Sequence, residues 1–119
     1  MAYLTVLTDV GEAWVVDKID TATKADYVAW GTGATEAAKG QTTLVTESAE
    51  TRIQGTATQP SADIYQVVAT LTSLSDQTIQ EAGLFNAVTV GTMVIRGNFA
   101  GVALLTGDKI EFTISLEIT

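Results

Sequence analysis

Without a histidine or a cysteine, any chemistry in this chain falls to its fourteen carboxylates, its six lysines and arginines, and its tyrosines. Ser-His and Cys-His nucleophiles, disulfides and the usual structural zinc sites are excluded at once. Hydrolysis by paired carboxylates needs two acids facing one cleft. Asp20, Asp26, Asp63, Asp76 and Asp108 instead stand at predicted turns or a helix end, where aspartate bonds its own backbone. No Asp-x-Asp-x-Asp-Gly run offers calcium its oxygens. Gly31-Thr32-Gly33 follows a predicted strand, as phosphate loops do, but it has neither a Lys-Ser/Thr closure nor a third glycine opening a helix, so a plain turn is the simpler reading. Tyr27, Trp30 and Tyr65 could present a platform to a sugar ring, with core or interface packing as the alternative. The expectation is a protein that is not an enzyme and uses no cofactor or metal.

One acid stands apart. In the stretch 78–86, Thr-Ile-Gln-Glu-Ala-Gly-Leu-Phe-Asn, Glu81 lies beside the apolar Ala82, Leu84 and Phe85. A carboxylate drawn into such surroundings needs a partner, and Arg52 and Arg96, both in predicted strands, are the natural ones. Gly83 breaks the run between bulky side chains, which marks a bulge, a bend or a close approach that a Cβ would block. Taken alone, the stretch also reads as a strand end entering a turn.

The elements that must position these residues are mostly strands. Threonine, alanine, valine, isoleucine and glycine dominate, with one proline, Pro60. Residues 2–7 form an extended lead-in. Thr8 or Asp9 caps a helix over 9–18, with Glu12 completing a capping box and Trp14 docking the helix on the core. Strands follow at 25–30 and 52–58, separated by a polar surface loop over 34–51 with one helical turn near 42–47 that drops Leu44 inward. A turn at 59–63 leads to a long strand over 64–74, whose Tyr65, Val67, Ala69, Leu71 and Ser73 face inward. After a turn at 75–77 come the 78–86 stretch, a strand over 93–99, a short piece at 102–105 bounded by Gly101, and a final strand. That strand sets Ile110, Phe112, Ile114, Leu116 and Ile118 on one face, against Lys109, Glu111, Thr113, Ser115 and Glu117. Short turns between strands predict one domain over 1–119, mainly β, an antiparallel meander closed into a β-sandwich or flattened barrel with one N-terminal helix.

Charge narrows the partners. A formal net charge of −8, with Lys18, Lys24, Lys39, Arg52, Arg96 and Lys109 dispersed, argues against nucleic acid or an anionic membrane. The N-terminus has no basic region and too short an apolar one for a signal peptide, so cytosolic synthesis is expected.

Four pieces form an ordered set: Leu7-Thr8-Asp9-Val10-Gly11-Glu12-Ala13; Val28-Ala29-Trp30-Gly31-Thr32-Gly33; Leu44-Val45-Thr46-Glu47 with Arg52 following; and Thr78-Ile79-Gln80-Glu81-Ala82-Gly83-Leu84-Phe85-Asn86. The set resembles the N-terminal domain of tailed-bacteriophage tail-collar fibre proteins over nearly the whole chain. Gln80 stands where that family usually has Arg, and the family's proline after the Gly-x-Gly turn gives way to the stretch around Ala37-Ala38.

The resemblance implies a virion structural protein, made in the host bacterial cytoplasm and present in many copies or as a homo-oligomer. Fibre proteins continue into a shaft and tip, whereas this chain stops at Thr119. The expectation that follows is a free-standing capsid decoration or cement protein binding the major capsid protein, with a tail-collar or tail-fibre attachment subunit as the alternative and a carbohydrate-binding module as a weaker one. Gly31, Gly33, Arg52, Glu81, Gly83, Leu84 and Phe85 are the expected structural signature. The N-terminal arm, with Tyr3 and Leu4, and the loop over 34–50, with Thr35, Glu36, Lys39 and Gln41, are the expected contact surface, because their residues show no core duty.

Overall fold

A computed structural model of the chain describes residues 5–21 and 24–119. The helix α1, Asp9–Ile19, begins where Thr8 accepts a hydrogen bond from the Gly11 amide at 3.1 Å, satisfying one of the donors a helix start leaves free. Thr8 rather than Asp9 is the cap. The docking residue also differs from expectation: Val16 is fully buried and Ile19 packs beside it, whereas Trp14 is 62% exposed and Val10 80% exposed. Lys18 lies over the Trp14 ring, 5.5 Å from its centroid, on the face turned away from the core.

Seven strands follow: β1 (Tyr27–Gly31), β2 (Ile53–Gln54), β3 (Thr56–Ser61), β4 (Ile64–Thr72), β5 (Gln77–Phe85), β6 (Met93–Leu104) and β7 (Lys109–Glu117). They form two antiparallel sheets, β2-β1-β5-β6 and β3-β4-β7, packed as a β-sandwich. The fold class is as the composition implied, but the path is not a meander. β1 pairs with β5 and β4 with β7, because the chain crosses to the other sheet between β2 and β3, β4 and β5, and β6 and β7, so strands distant in sequence become neighbours.

The period-two pattern of β4 holds. Tyr65, Val67, Ala69 and Leu71 are buried, with Ser73 just beyond the strand. They meet Val28, Trp30, Ile79, Leu84 and Leu104 from the other sheet, and Trp30 lies edge-on to Phe112 at 6.2 Å between ring centroids. The Tyr65 hydroxyl donates to the Ala25 carbonyl at 2.8 Å. The alternating face of β7 is as expected, but β7 is an edge strand and its apolar row stays only half-buried.

Several boundaries move. β3 runs through Gln59 and Pro60 and leaves a tight turn at Ala62 and Asp63; Pro60 is tolerated because β3 is an edge strand, whose outward N–H pairs with nothing. β6 is continuous through Gly101, where a Cβ would come within 2.6 Å of Thr78 Cγ2, so this glycine makes room for a side chain of the paired β5 and not for a turn. The expected helical turn near 42–47 is absent, although Leu44 is buried.

The largest correction concerns β5. It is a central strand, continuous past Gly83, which pairs with Ala29 on one side and Arg96 on the other. Gly83 makes no bend. A Cβ there would stand 2.9 Å from Leu44 Cδ2, the close-approach reading, and the register shifts fall instead between Ile79 and Glu81 and between Leu84 and Phe85.

Burial raises the Tyr65 phenol to about 12, with the charges of Asp26 and Asp20 adding to it. A raised acid that must ionise on unfolding contributes stability that is complete below an unfolded value near 10 and is lost as pH climbs toward the folded value. Urea unfolding followed between pH 9 and pH 12 should show stability falling by about 2 kcal/mol through this group, and a Tyr65→Phe variant should show a shallower fall.

Candidate functional site

Beyond β1 the chain lays residues 32–52 over the outer face of the first sheet. Ala29 and Phe85, from that face, and Leu44, from the covering loop, form a second small core with Tyr27 and Met93 packed against it. Residues 46–48 run beside the end of β1: Thr32 donates to the Thr46 carbonyl and Ser48 to the Trp30 carbonyl, each at 3.0 Å.

Glu81 lies beneath this loop, fully buried. Its Oε1 accepts from the Val45 amide at 2.8 Å and from Arg96 Nε at 3.0 Å, and its Oε2 accepts from the amides of Gly33 at 2.9 Å and Thr46 at 2.8 Å. The partner is therefore Arg96, from the adjacent β6, and not Arg52. Burial alone would raise this carboxyl. The Thr46 and Val45 amides, Arg96 and the Gly33 amide outweigh it and hold the group below the usual carboxylate range.

Gly31 and Gly33 are required by the same packing. A Cβ on Gly31 would meet the Thr46 carbonyl oxygen at 2.2 Å and Glu81 Oε2 at 2.7 Å; one on Gly33 would meet that oxygen at 2.5 Å. The Gly-x-Gly turn is a seat for a carboxylate, and its spacing was the only sequence signal for it.

Arg96 extends the cluster by donating from Nη2 to the Thr35 carbonyl at 2.8 Å and from Nη1 to Gln41 Oε1 at 3.1 Å. Arg52 does separate work. It forms a two-point pair with Glu47, both bonds 3.0 Å, stacks 3.6 Å from the Phe85 centroid, and donates to the carbonyls of Ala87 and Val90. It thereby holds the β5–β6 turn, where Val90 and Gly91 adopt positive φ of 55° and 66°. Leu84 points the other way, into the main core.

Glu50 has no signal in the sequence that sets it apart from the polar loop over 34–51. It accepts from Trp30 Nε1, the Leu74 amide and Gln77 Nε2, each at 3.0 Å, and so ties the loop to β1, β5 and the connection between β4 and β5. Burial would raise its carboxyl, but the Leu74 amide, Gln77 and Trp30 hold it below the usual range.

The arrangement can fix geometry; it leaves no basic oxygen for proton transfer, since each Glu81 oxygen already accepts two bonds and the carboxylate has no exposed surface. Among the described residues no group of three or more His, Cys, Asp or Glu is placed to hold a metal ion. Trp30 and Tyr65 are each 1% exposed and offer no flat face to a sugar.

The expected contact residues divide. Thr35, Glu36 and Lys39 are exposed, yet Thr35 and Gln41 bind Arg96, and Gln41 Nε2 donates to the Glu36 carbonyl. The loop over 34–50 thus has a core duty that composition did not reveal. Tyr3 and Leu4 lie outside the described residues.

No protein-family model matches this chain, and a search of the curated proteins finds no significant match.

Replacing Glu81 by Gln should lower stability by about 3–5 kcal/mol, because Arg96 is left buried without its counter-charge. In the parent protein the lowered carboxyl stabilises above its unfolded value near 4.3 and that contribution is lost as pH falls through the folded value, so acid unfolding should begin at higher pH once Glu81 is neutralised. Thermal melts from pH 7 to pH 2 measure both. Gly31→Ala should cost at least about 2 kcal/mol by overpacking, whereas Gly97→Ala, which meets nothing within 4 Å, should stay within about 0.5 kcal/mol.

Proposed function

We propose that this protein is a non-enzymatic structural subunit of a tailed-phage virion, acting as a capsid decoration or cement protein that binds neighbouring shell subunits. The supporting observation is convergence. Three of the four pieces whose order resembles the tail-collar fibre domain lie together on the outer face of the first sheet: Gly31 and Gly33, the 44–47 segment and Glu81 in one buried clamp, and Arg52 beside it over Phe85, while the Leu7–Ala13 piece stands apart on α1. An ordered set of motifs, three of which also share one face in space, is better support for a common module than order alone.

The absence of chemistry in the clamp favours assembly over catalysis. The acids that could have formed a carboxylate pair are engaged at turns and strand ends: Asp63 accepts from Ser61, Asp76 from Thr106, Asp108 from the Leu105 amide, and Asp26 from Gln54. Apolar side chains are exposed in several separate places, among them α1, the β5–β6 turn with Val88 and Val90, and Leu74 and Leu105 near the strand ends, which suits a subunit with more than one neighbour. A tail-collar or fibre attachment subunit is the second reading, favoured by the resemblance itself. In either role the protein is made in the host bacterial cytoplasm and partners other virion proteins, with neither nucleic acid nor membrane as a direct ligand of its acidic surface.

Copy number decides between the two. Quantitative mass spectrometry of purified particles should give on the order of hundreds of copies per particle for a shell cement, against about a dozen or fewer for a tail component, as closed symmetries dictate. Particles lacking the protein should lose heat resistance of the shell while keeping their tails. Complete absence from particles would overturn the virion reading.

A further inference from the structure

The hydrogen-bonding groups of the edge strand β7 are met on one side only. At its two ends the Ile118 amide donates to the Asp63 carbonyl, and the Asp108 carbonyl accepts from the Ser73 amide. The ladder with β4 runs between these points without a register shift. Even-numbered residues of β7 therefore turn their N–H and C=O toward β4, and the odd-numbered ones, Lys109, Glu111, Thr113, Ser115 and Glu117, turn theirs outward. Among the described residues none of those five makes a backbone hydrogen bond outside the ladder. The neighbouring edge, β6, differs: its pairing with β5 shifts register twice, and such irregularities blunt an edge as a template.

The same five residues have exposed side chains, and their charges have no partner within the chain. No ion pair among the described residues involves Lys109, Glu111 or Glu117, whose neighbours on β4 are the uncharged Thr72, Thr70 and Ile64. The acids at the strand ends, Asp63 and Asp108, are bound into their own turns by Ser61 and the Leu105 amide. The order of charges along β7 suits a second β7. With a two-fold axis at Thr113, two antiparallel copies set Lys109 of each against Glu117 of the other, Glu111 against Ser115 and Thr113 against itself. Each of these pairs joins residues whose backbone groups face outward, so each can exchange two hydrogen bonds. On the inner face Ile110 meets Leu116 and Phe112 meets Ile114, which continues the half-buried apolar row into the second copy. The next register in one direction opposes Glu111 to Glu117, and the next in the other opposes Lys109 to Ser115 and forfeits both ion pairs.

We propose that two copies of this chain pair through β7, antiparallel and centred on Thr113, so that their smaller sheets fuse into one sheet of order β3-β4-β7-β7-β4-β3. The contact is isologous and closes at two copies. Charged side chains on a strand edge ordinarily keep other chains away. Here they repel in a neighbouring register and attract in one, so they select the register instead of forbidding the contact. Glu111 faces a serine and stays in water. A single strand pair is a small interface, and the dimer is accordingly a weak one, with a Kd on the order of tens of micromolar. The inference stands on register and charge and is independent of the virion reading.

Sedimentation velocity on the full chain tests it. The mean mass should rise with concentration from monomer to dimer and stop there. Amide hydrogen exchange of Glu111, Thr113 and Ser115 should slow over the same range. Lys109→Glu and Glu117→Lys change exposed positions, so each should fold normally by circular dichroism, yet each places like charges opposite one another twice and should self-associate at least about tenfold more weakly. Mixed, the two variants should form a one-to-one complex, because every opposed pair then carries opposite charges. Thr113→Pro, which removes an outward N–H that the fold itself does not use, should abolish the dimer. A full chain that stays monomeric up to about 1 mM would overturn the proposal, being weaker by more than tenfold than expected. So would a mass that grows past the dimer, a mixture that forms no complex, or a folded Thr113→Pro variant that associates as well as the parent.

Discussion

A buried carboxylate that must find four donors organises this fold. Glu81 sits on the outer face of a central strand, and three of its four hydrogen bonds come from backbone amides of one loop. The cost of taking that charge out of water is recovered only when the loop lies in one position, with Gly33, Val45 and Thr46 turned inward and Arg96 alongside. The interaction therefore selects a conformation more than it adds net stability. A loop of small polar residues with little apolar area of its own gains a unique path because any other path would strand an ion.

The remaining features extend the same logic outward. Arg96 carries the constraint to Thr35 and Gln41, Arg52 repeats it with Glu47 and the β5–β6 turn, and Glu50 joins the loop to the indole of Trp30. Three charged side chains thus do what a larger protein would do with a second hydrophobic layer. The glycines beneath them are small because carboxylate and carbonyl oxygens occupy the space a Cβ would need.

Sequence periodicity was most informative where both faces of a strand differ. The inward rows of β4 and β7 were legible because a one-residue slip would expose every apolar side chain, and Leu44 stood out as an apolar residue in a polar loop. Periodicity says which residues share a face and is silent on what covers that face. This is why Trp14 was placed inward when Val16 is the buried residue, and why the half-open row of β7 looked no different from a core strand. Glycines were ambiguous for a related reason: Gly83 serves the close approach that was one of its expected readings and not the bend, Gly101 makes room for Thr78 inside a continuous strand, and the same residue type also serves turns. Long-range polar contacts were the least legible. That Glu81 needed an arginine followed from its surroundings, but the choice of Arg96 over Arg52 depended on sheet order, which short-range pattern does not encode.

The two sides of the sandwich are unequal in their capacity to grow. On one side the sheets end in β2, only two residues long, and in β3, which contains Pro60 and so lacks a donor on its outer edge. On the other they end in β6 and β7, of twelve and nine residues, with no proline in either. Added strands have a template on one flank alone. Open-ended cross-β stacking requires two sticky flanks, and a molecule with a single one can be crowded to high local density without polymerising edge to edge.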